Sequence, residues 1–97
     1  MLVLISYDVS TTTKAGQRRL TRIAKTCLDY GQRVQNSVFE CIVNPAQWTD
    51  LRAKLLRTYN SEEDSLRFYF LGKNWEGKVE HHGTKQTPNL ESGTLIV

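Results

Sequence analysis

The chain has 97 residues, of which 39% are hydrophobic and 24% charged, and its formal net charge is +3 at pH 7. These proportions are typical of one soluble folded domain and argue against a disordered chain. No apolar run approaches the roughly 20 residues of a transmembrane helix, and the first residues lack the basic start of a signal peptide. The spacing of Cys27 and Cys41 does not match that of metal-binding or redox-active cysteine pairs. We therefore expect them to be buried thiols in a cytoplasmic protein.

The positive charge is concentrated in the first part of the chain. Residues 1–60 contain nine Lys or Arg and four Asp or Glu, whereas residues 61–97 contain four and six. This imbalance is compatible with an anionic partner. An ordinary solvated surface is the simpler explanation for so small a net charge.

The first half of the chain is predicted to form a strand, a helix and a hairpin. Residues 2–9 begin with a run that is apolar on both faces, as in a central strand covered by helices. Helical spacing then predicts an amphipathic helix over residues 13–30, ended by Gly31. Its apolar stripe consists of Leu20, Ile23, Ala24, Cys27 and Leu28. Residues 33–43 are extended, and the turn-tolerant residues 35–37 divide them into a tight hairpin.

The second half is predicted to form a helix and one or two strands. Asn44 and Pro45 suit the N-cap and first position of a helix that ends near residue 59. The acidic stretch Ser-Glu-Glu-Asp over residues 61–64 is predicted to be a loop, and residues 66–71 a strand ended by Gly72. A short fifth strand over residues 78–82 can fold back on its own sheet or add to the edge of a partner.

The order β-α-β-β-α-β predicts an α+β, ferredoxin-like fold: a four-stranded antiparallel sheet with both helices on one face. We expect residues 1–82 to form this domain, with the fifth strand at its end, and residues 83–97 to form a C-terminal tail. Helices on one face leave the other uncovered, so Tyr69 must meet solvent, a ligand or another sheet. A second copy of the chain is the simplest partner that could cover this face, which predicts a homodimer.

Asp8 is the sharpest candidate for chemistry. It follows the apolar first strand and precedes a Ser/Thr-rich loop, a rigid but accessible position that suits a metal ligand. Alternatively, Asp8 has a structural role and starts a turn or caps the helix. Spacing alone favours this structural role, because no second carboxylate lies nearby in the sequence. A two-fold dimer would bring two Asp8 side chains together, and a divalent cation between them would relieve their repulsion.

The first predicted helix also carries a basic row. Lys14, Arg18, Arg22 and Lys25 fall opposite the apolar stripe, and Arg19 lies on their flank. Such a row can follow nucleic-acid phosphates, or it can be an ordinary solvated helix face. The absence of interleaved acidic residues before Asp29 makes the two explanations about equal.

Two residues of the hairpin are further candidates. Arg33 is a candidate for binding a phosphate group, or its charge simply keeps a strand edge soluble. Phe39 suits base stacking, dimer packing or simple core filling. His81 and His82 are adjacent on a strand and point to opposite faces, so we do not expect them to bind one metal together.

Three stretches resemble one known family. They are Tyr7-Asp8-Val9, the run Gln-Arg-Val-Gln-Asn-Ser-Val-Phe-Glu over residues 32–40, and Asp-Ser-Leu-Arg-Phe-Tyr over residues 64–69. With them the chain resembles the CRISPR-associated protein 2 family through about residue 82. The run over residues 32–40 is the most specific part.

The resemblance implies a ferredoxin-like homodimer with a divalent metal, usually Mg²⁺, between the two Asp8 side chains. It implies a metal-dependent endonuclease acting on RNA or double-stranded DNA. It also implies a bridge between dimers of the CRISPR integrase subunit, CRISPR-associated protein 1, during capture of spacer DNA. The family's helix arginine corresponds to Arg18 or Arg19, its strand arginine to Arg33 and its phenylalanine to Phe39.

Two functions of different kinds therefore remain open. In one, the paired Asp8 carboxylates hold a metal that assists phosphodiester hydrolysis. In the other, the dimer is a non-catalytic scaffold whose basic surface holds a duplex through phosphate contacts. An RNA-recognition module of the same topology is disfavoured, because residues 38–43 lack its aromatic base-stacking motif.

Overall fold

A computed structural model describes residues 1–71 and 79–84 of the chain. Two helices and five strands follow one another in the order that the sequence predicts, with the fifth strand present. They are β1 (Leu2–Asp8), α1 (Lys14–Leu28), β2 (Gly31–Gln35), β3 (Val38–Ile42), α2 (Pro45–Thr58), β4 (Ser65–Leu71) and β5 (Val79–Gly83).

The strands form one antiparallel sheet in the order β2-β3-β1-β4-β5. β1 is central, and Ile5 lies between Phe39 of β3 and Phe68 of β4. The first four strands have the ferredoxin-like arrangement, so the predicted α+β fold class is confirmed. The fifth strand pairs with β4 of its own chain.

The two faces of the sheet differ because successive side chains of a strand point in opposite directions. Val3, Ile5 and Tyr7 of β1 are fully buried, and they share one apolar core with Ile23 of α1 and Leu55 of α2. The other face, here called the open face, carries residues that are partly or largely exposed. By register it includes the buried Ser65 and the following partly or largely exposed residues: Leu2, Leu4, Ser6, Asp8, Val38, Glu40, Ile42, Arg67, Tyr69, Leu71, Val79 and His81.

Capping interactions set the ends of the helices. The Thr13 side chain accepts a hydrogen bond from the Gly16 amide at 3.0 Å, so α1 begins one residue later than predicted. The helix ends at Leu28, with Asp29 as its C-cap. The prediction that Gly31 ends the helix is therefore wrong. Gly31 starts β2, where a Cβ atom would lie 1.9 Å from a carbonyl oxygen of β3.

The predicted start of α2 is confirmed. Asn44 and Gln47 form a reciprocal capping box, in which each side chain accepts a hydrogen bond from the backbone amide of the other. On the buried side of α2, the Trp48 ring packs edge-on against Phe68 and Phe70, with centroids 4.9 and 5.3 Å away. Trp48 is therefore part of the core rather than a ligand-binding ring.

β5 is fastened to the helical layer by an ion pair. Arg52 of α2 donates to the Glu80 carboxylate, through Nε at 2.8 Å, and His82 contacts the same carboxylate. His82 also packs near the Phe68 ring, whereas His81 contacts Arg67 on the open face. The prediction that the two histidines point to opposite faces is confirmed.

Both cysteines are buried thiols, as predicted. Cys27 of α1 and Cys41 of β3 are fully buried, and the Cys41 thiol donates to the Cys27 carbonyl oxygen at 3.6 Å. Packing of α1 against β3 therefore includes these two small side chains.

Some predicted features lie outside the described residues. They are the end of β4 at Gly72, the start of the fifth strand at Lys78 and the tail from residue 85 onward. Neither α1 nor α2, the helices in the described ranges, is long and apolar enough to cross a membrane.

The Arg52–Glu80 pair gives a pH-dependent prediction. Burial opposes ionisation of Glu80, but the Arg52 and His82 hydrogen bonds outweigh it and hold its pKa below the ordinary value of 4.5. The pair therefore stabilises the fold above pH 4.5, and this contribution is lost as the pH falls through the lowered pKa. Glu80→Gln should cost about 1 kcal/mol of unfolding free energy at neutral pH and almost nothing at a pH below the lowered pKa.

Urea unfolding at both pH values measures this difference. Glu62→Gln is the matched control, because Glu62 is exposed and its side chain has no ion pair within the described residues. We expect a change below about 0.5 kcal/mol for the control. A pH-independent loss in Glu80→Gln would show that the ion pair does not fasten β5.

Candidate functional site

Asp8 is the last residue of β1 and lies on the open face. It is exposed, and its register partner on β4 is the buried Ser65. The β1–β3 register ends at Ser6 and Val38, so among the strands in the described ranges only β4 runs beside Asp8. The carboxylate therefore sits at a corner of the sheet, supported by a central strand and accessible from outside.

Two further residues share the open face with Asp8, on the neighbouring strand and the strand beyond it, and sequence reasoning gave them no role in the site. Arg67 follows Ser65 by two positions on β4, and His81 is its register partner on β5. The Arg67 guanidinium donates to His81 Nδ1 from Nε at 3.1 Å and from Nη2 at 2.8 Å. Diagonal neighbours across a strand pair lie roughly 7–8 Å apart, so Arg67 brings a positive charge close to Asp8.

The His81 ring is neutral and has an unused donor. A guanidinium only donates, so Nδ1 of His81 accepts and its proton lies on Nε2. Burial, and then the charges of Arg67 and His82, lower the pKa of His81. Its Nε2 is buried and has no hydrogen-bond partner in the described part of the chain. An acceptor from another molecule would satisfy it.

One chain supplies only part of a metal site. Carboxylate oxygens suit Mg²⁺, and the exposed Asp8 can provide them. Within residues 1–71 and 79–84, no three His, Cys, Asp or Glu side chains are grouped so that they could hold a metal ion. A site at Asp8 therefore needs ligands from outside these residues.

The basic row of α1 is exposed, as its position opposite the apolar stripe requires. Lys14, Arg18, Arg22 and Lys25 all lie on the solvent side, and α1 contains no acidic residue. Lys14, Arg18 and Arg22 line an open groove of about 440 Å³ together with Gln17 and Thr21. The groove offers several cationic and polar groups along one helix face. The α1 layer and Asp8 lie on different faces of the sheet.

Arg19 is not part of this exposed row, contrary to its prediction as a flanking residue. Its side chain is only 14% exposed. Nε donates to Asp64 Oδ2 at 2.9 Å, and Nη2 donates to Asp64 Oδ1 and Glu63 Oε1, each at 3.1 Å. The guanidinium is occupied by acidic residues of its own chain.

Asp64 lies in the loop that the sequence predicts for residues 61–64, but its carboxylate is buried. It is fully buried and accepts hydrogen bonds from the Tyr7 hydroxyl, the Arg19 guanidinium and the Asn60 amide. Burial, and then the Asp64 carboxylate, raise the pKa of Tyr7 well above its usual value, so the phenol stays a neutral donor. This group is here called the Asp64 network. It lies beneath the end of β1, next to Asp8.

Phe39 and Arg33 form a pair on the helix side. Phe39 is fully buried in the core, so the predicted stacking or dimer-packing role is wrong and core filling is the role that the structure shows. The exposed Arg33 of β2 lies over the Phe39 ring, with its Cζ atom 5.3 Å from the centroid. Since Asp8 is on the open face, the structure does not bring Arg33 and Asp8 together.

Comparisons with known proteins agree with the fold. A family model described as CRISPR associated protein Cas2 matches residues 1–79. The chain is 66% identical over its full length to the full length of a CRISPR-associated endoribonuclease Cas2 of Chlorobaculum tepidum. It is 55% identical to a CRISPR-associated endonuclease Cas2 of Halalkalibacterium halodurans, covering 99% of this chain and 100% of that one.

A solved structure is similar as well. The Streptococcus pyogenes Cas2 crystal structure at pH 6.5 matches with a TM-score of 0.73 and 56% identity, covering 78% of this chain and 92% of that one. The family match extends over most of the chain, and the two relatives named above are matched over their full length. The chain belongs to the Cas2 family of CRISPR-associated proteins.

Proposed function

We propose that this chain is a CRISPR nuclease that works as a homodimer and hydrolyses phosphodiesters of RNA or double-stranded DNA with a divalent cation, usually Mg²⁺. Relatives named endoribonuclease and endonuclease support the nuclease activity. The observation that carries the site is the position of Asp8, exposed at the end of the central strand and on the face that the helices leave uncovered.

The dimer is proposed from the open face. Leu4 and Tyr69 lie at its centre and are only partly buried within one chain. The unused His81 Nε2 donor lies on the same face. A second copy packed there about a two-fold axis would bury the apolar residues, offer acceptors to His81 and bring one Asp8 to face the other.

The proposed chemistry divides between Asp8 and Arg67. The two Asp8 carboxylates bind the cation, which when bound supplies Lewis-acid polarisation of the phosphodiester and an activated water. Arg67 orients a phosphate oxygen, because the groups that it contacts, His81 and Tyr69, do not cancel its charge. The basic row of α1 holds the remainder of the nucleic acid through its phosphates.

A non-catalytic role is the second candidate. One carboxylate per chain is sparse ligation for a nuclease, and no three His, Cys, Asp or Glu side chains of the described residues are grouped to hold a metal ion. The basic row instead suits sequence-independent phosphate contacts, as expected of a dimer that bridges CRISPR-associated protein 1 subunits on spacer DNA. In this role the dimer contributes geometry rather than hydrolysis.

Asp8→Asn tests the catalytic proposal. It preserves the shape of the side chain and removes the charge, so we expect Mg²⁺-dependent cleavage of RNA and duplex DNA to fall at least about 100-fold. Calorimetric titration with Mn²⁺ should lose the binding heat in parallel. Asp29→Asn is the control, because Asp29 is also exposed but caps α1; its activity should stay within about twofold. Unchanged cleavage and metal binding in Asp8→Asn would contradict the site.

The same variant separates the two candidate roles. In a reconstituted reaction with the integrase subunit, loss of cleavage together with normal spacer integration would assign the biological role to the scaffold. Loss of both, in a variant that remains folded and dimeric, would assign it to hydrolysis.

Leu4→Lys tests the dimer. The flexible lysine stem lets an isolated chain keep its charge in water, whereas the charge would be buried in a face-to-face dimer. We expect sedimentation velocity to show a dimeric wild-type protein and a dimer dissociation constant at least about 100-fold higher in the variant. Leu28→Lys is the control, since Leu28 is exposed at the end of α1. A monomeric wild-type protein would remove the paired Asp8 site altogether.

Charge reversal at Arg18 and Arg22 tests the basic row. Each lost phosphate contact lowers the slope of log affinity against log salt by roughly one. We therefore expect Arg18→Glu with Arg22→Glu to weaken duplex binding at least about tenfold and to flatten the slope by about one to two. Arg57→Glu is the control, an exposed arginine on α2. An unchanged salt slope would exclude the row from binding.

A further inference from the structure

The Asp64 network connects four parts of the chain at one buried residue, three through its carboxylate and one through its backbone carbonyl. Oδ2 of Asp64 accepts from the Tyr7 hydroxyl of β1, from Arg19 Nε of α1 at 2.9 Å and from the Asn60 amide after α2 at 2.9 Å. Oδ1 accepts from Arg19 Nη2 at 3.1 Å. The Asp64 carbonyl also accepts from the Thr84 amide after β5, at 3.0 Å. No other carboxylate in the described residues is fully buried.

The network acts on the residue next to Asp8. Tyr7 and Asp8 are consecutive, so their side chains lie on opposite faces and the Tyr7 ring is held beneath the sheet. Asp64 directly precedes Ser65, the register partner of Asp8. Asp64 therefore supports the end of β1 in two ways. It binds the Tyr7 side chain beneath the sheet, and it fixes the start of β4 beside Asp8.

This support matters because Asp8 is the last residue of its strand. The Tyr7 amide donates to the Ser37 carbonyl at 2.9 Å, on the β3 side of the strand. Successive amides alternate sides, so the Asp8 amide is turned toward Ser65 of β4. The ends of strands open more readily than their centres. The direction of the Asp8 backbone thus depends on where β4 begins, and Asp64 fixes that point.

We propose that Asp64, acting through Tyr7 and the start of β4, is a positioning residue that holds the Asp8 carboxylate toward the open face. Arg19 serves this network rather than nucleic acid. The proposal rests on the proposed role of Asp8 for its effect on activity, but its structural part is independent of that role. A purely stabilising network would change the melting temperature without changing Asp8 in the folded protein.

Tyr7→Phe is the first test, because it removes one hydroxyl and leaves Arg19 and Asn60 on Asp64. Hydrogen exchange by NMR on the full chain, at a temperature where every variant is folded, should show the Asp8 amide exchanging at least about tenfold faster. With Mn²⁺, the dissociation constant should rise about five- to tenfold and kcat fall by a similar factor, while KM for the nucleic acid stays within about twofold.

Tyr30→Phe is the matched control. Its hydroxyl also donates to a carboxylate, that of Asp50 at 3.0 Å, but this pair lies between the end of α1 and α2. Asp8 exchange and the metal dissociation constant should stay at the wild-type values in this variant. Asp64→Asn, where it folds, should exceed the effect of Tyr7→Phe, because it also deprives Arg19 of its carboxylate.

The readouts distinguish failure of this inference from failure of the proposed function. Unchanged Asp8 exchange in Tyr7→Phe would overturn the positioning role, whatever Asp8→Asn does to cleavage. Faster Asp8 exchange would uphold it even if Asp8→Asn left cleavage intact, in which case only the metal-nuclease proposal would fall. A lower melting temperature with wild-type exchange and kcat would also overturn it.

Discussion

The alternation of side chains along β1 is the constraint on which the rest of this structure depends. Val3, Ile5 and Tyr7 enter the core beneath both helices, and this commits Leu4 and Asp8 to the opposite face. A shift of one residue in the register would bury the carboxylate and expose the core. The position of Asp8, the uncovered apolar surface around it and the proposed dimer all follow from this single strand.

Most of the fold was predictable because its information is local. Helical periodicity, the Asn44 cap and the residues 35–37 between two extended runs each depend on neighbours in sequence, and they gave the right order of elements. Gly31 was assigned to the wrong element. A glycine just after a helix is typical of a helix cap. In the structure, a glycine is needed at this position because β3 approaches the backbone too closely for a Cβ atom, and no local sequence pattern reveals that approach.

Sequence reasoning predicted the candidate site only for residues whose exposure to solvent follows from helical or strand periodicity. Arg18 and Arg19 are neighbours separated by about 100° around the helix, so one points to solvent and the other toward the sheet. What Arg19 meets there depends on Asp64, 45 positions away. The acidic stretch gave no indication that one of its members is buried. Phe39 was left with three possible roles, and only its place in the sheet decided among them.

The first edge of the described sheet has a consequence for solubility. All five residues of β2 are exposed, and its pairing with β3 shifts register between Arg33 and Gln35. A bulge and polar side chains disrupt the regular row of backbone groups that another strand would need. Copies of this chain are therefore discouraged from adding to one another edge by edge into open-ended aggregates. Association through the faces of two sheets stops at two copies, so it does not lead to open-ended aggregation.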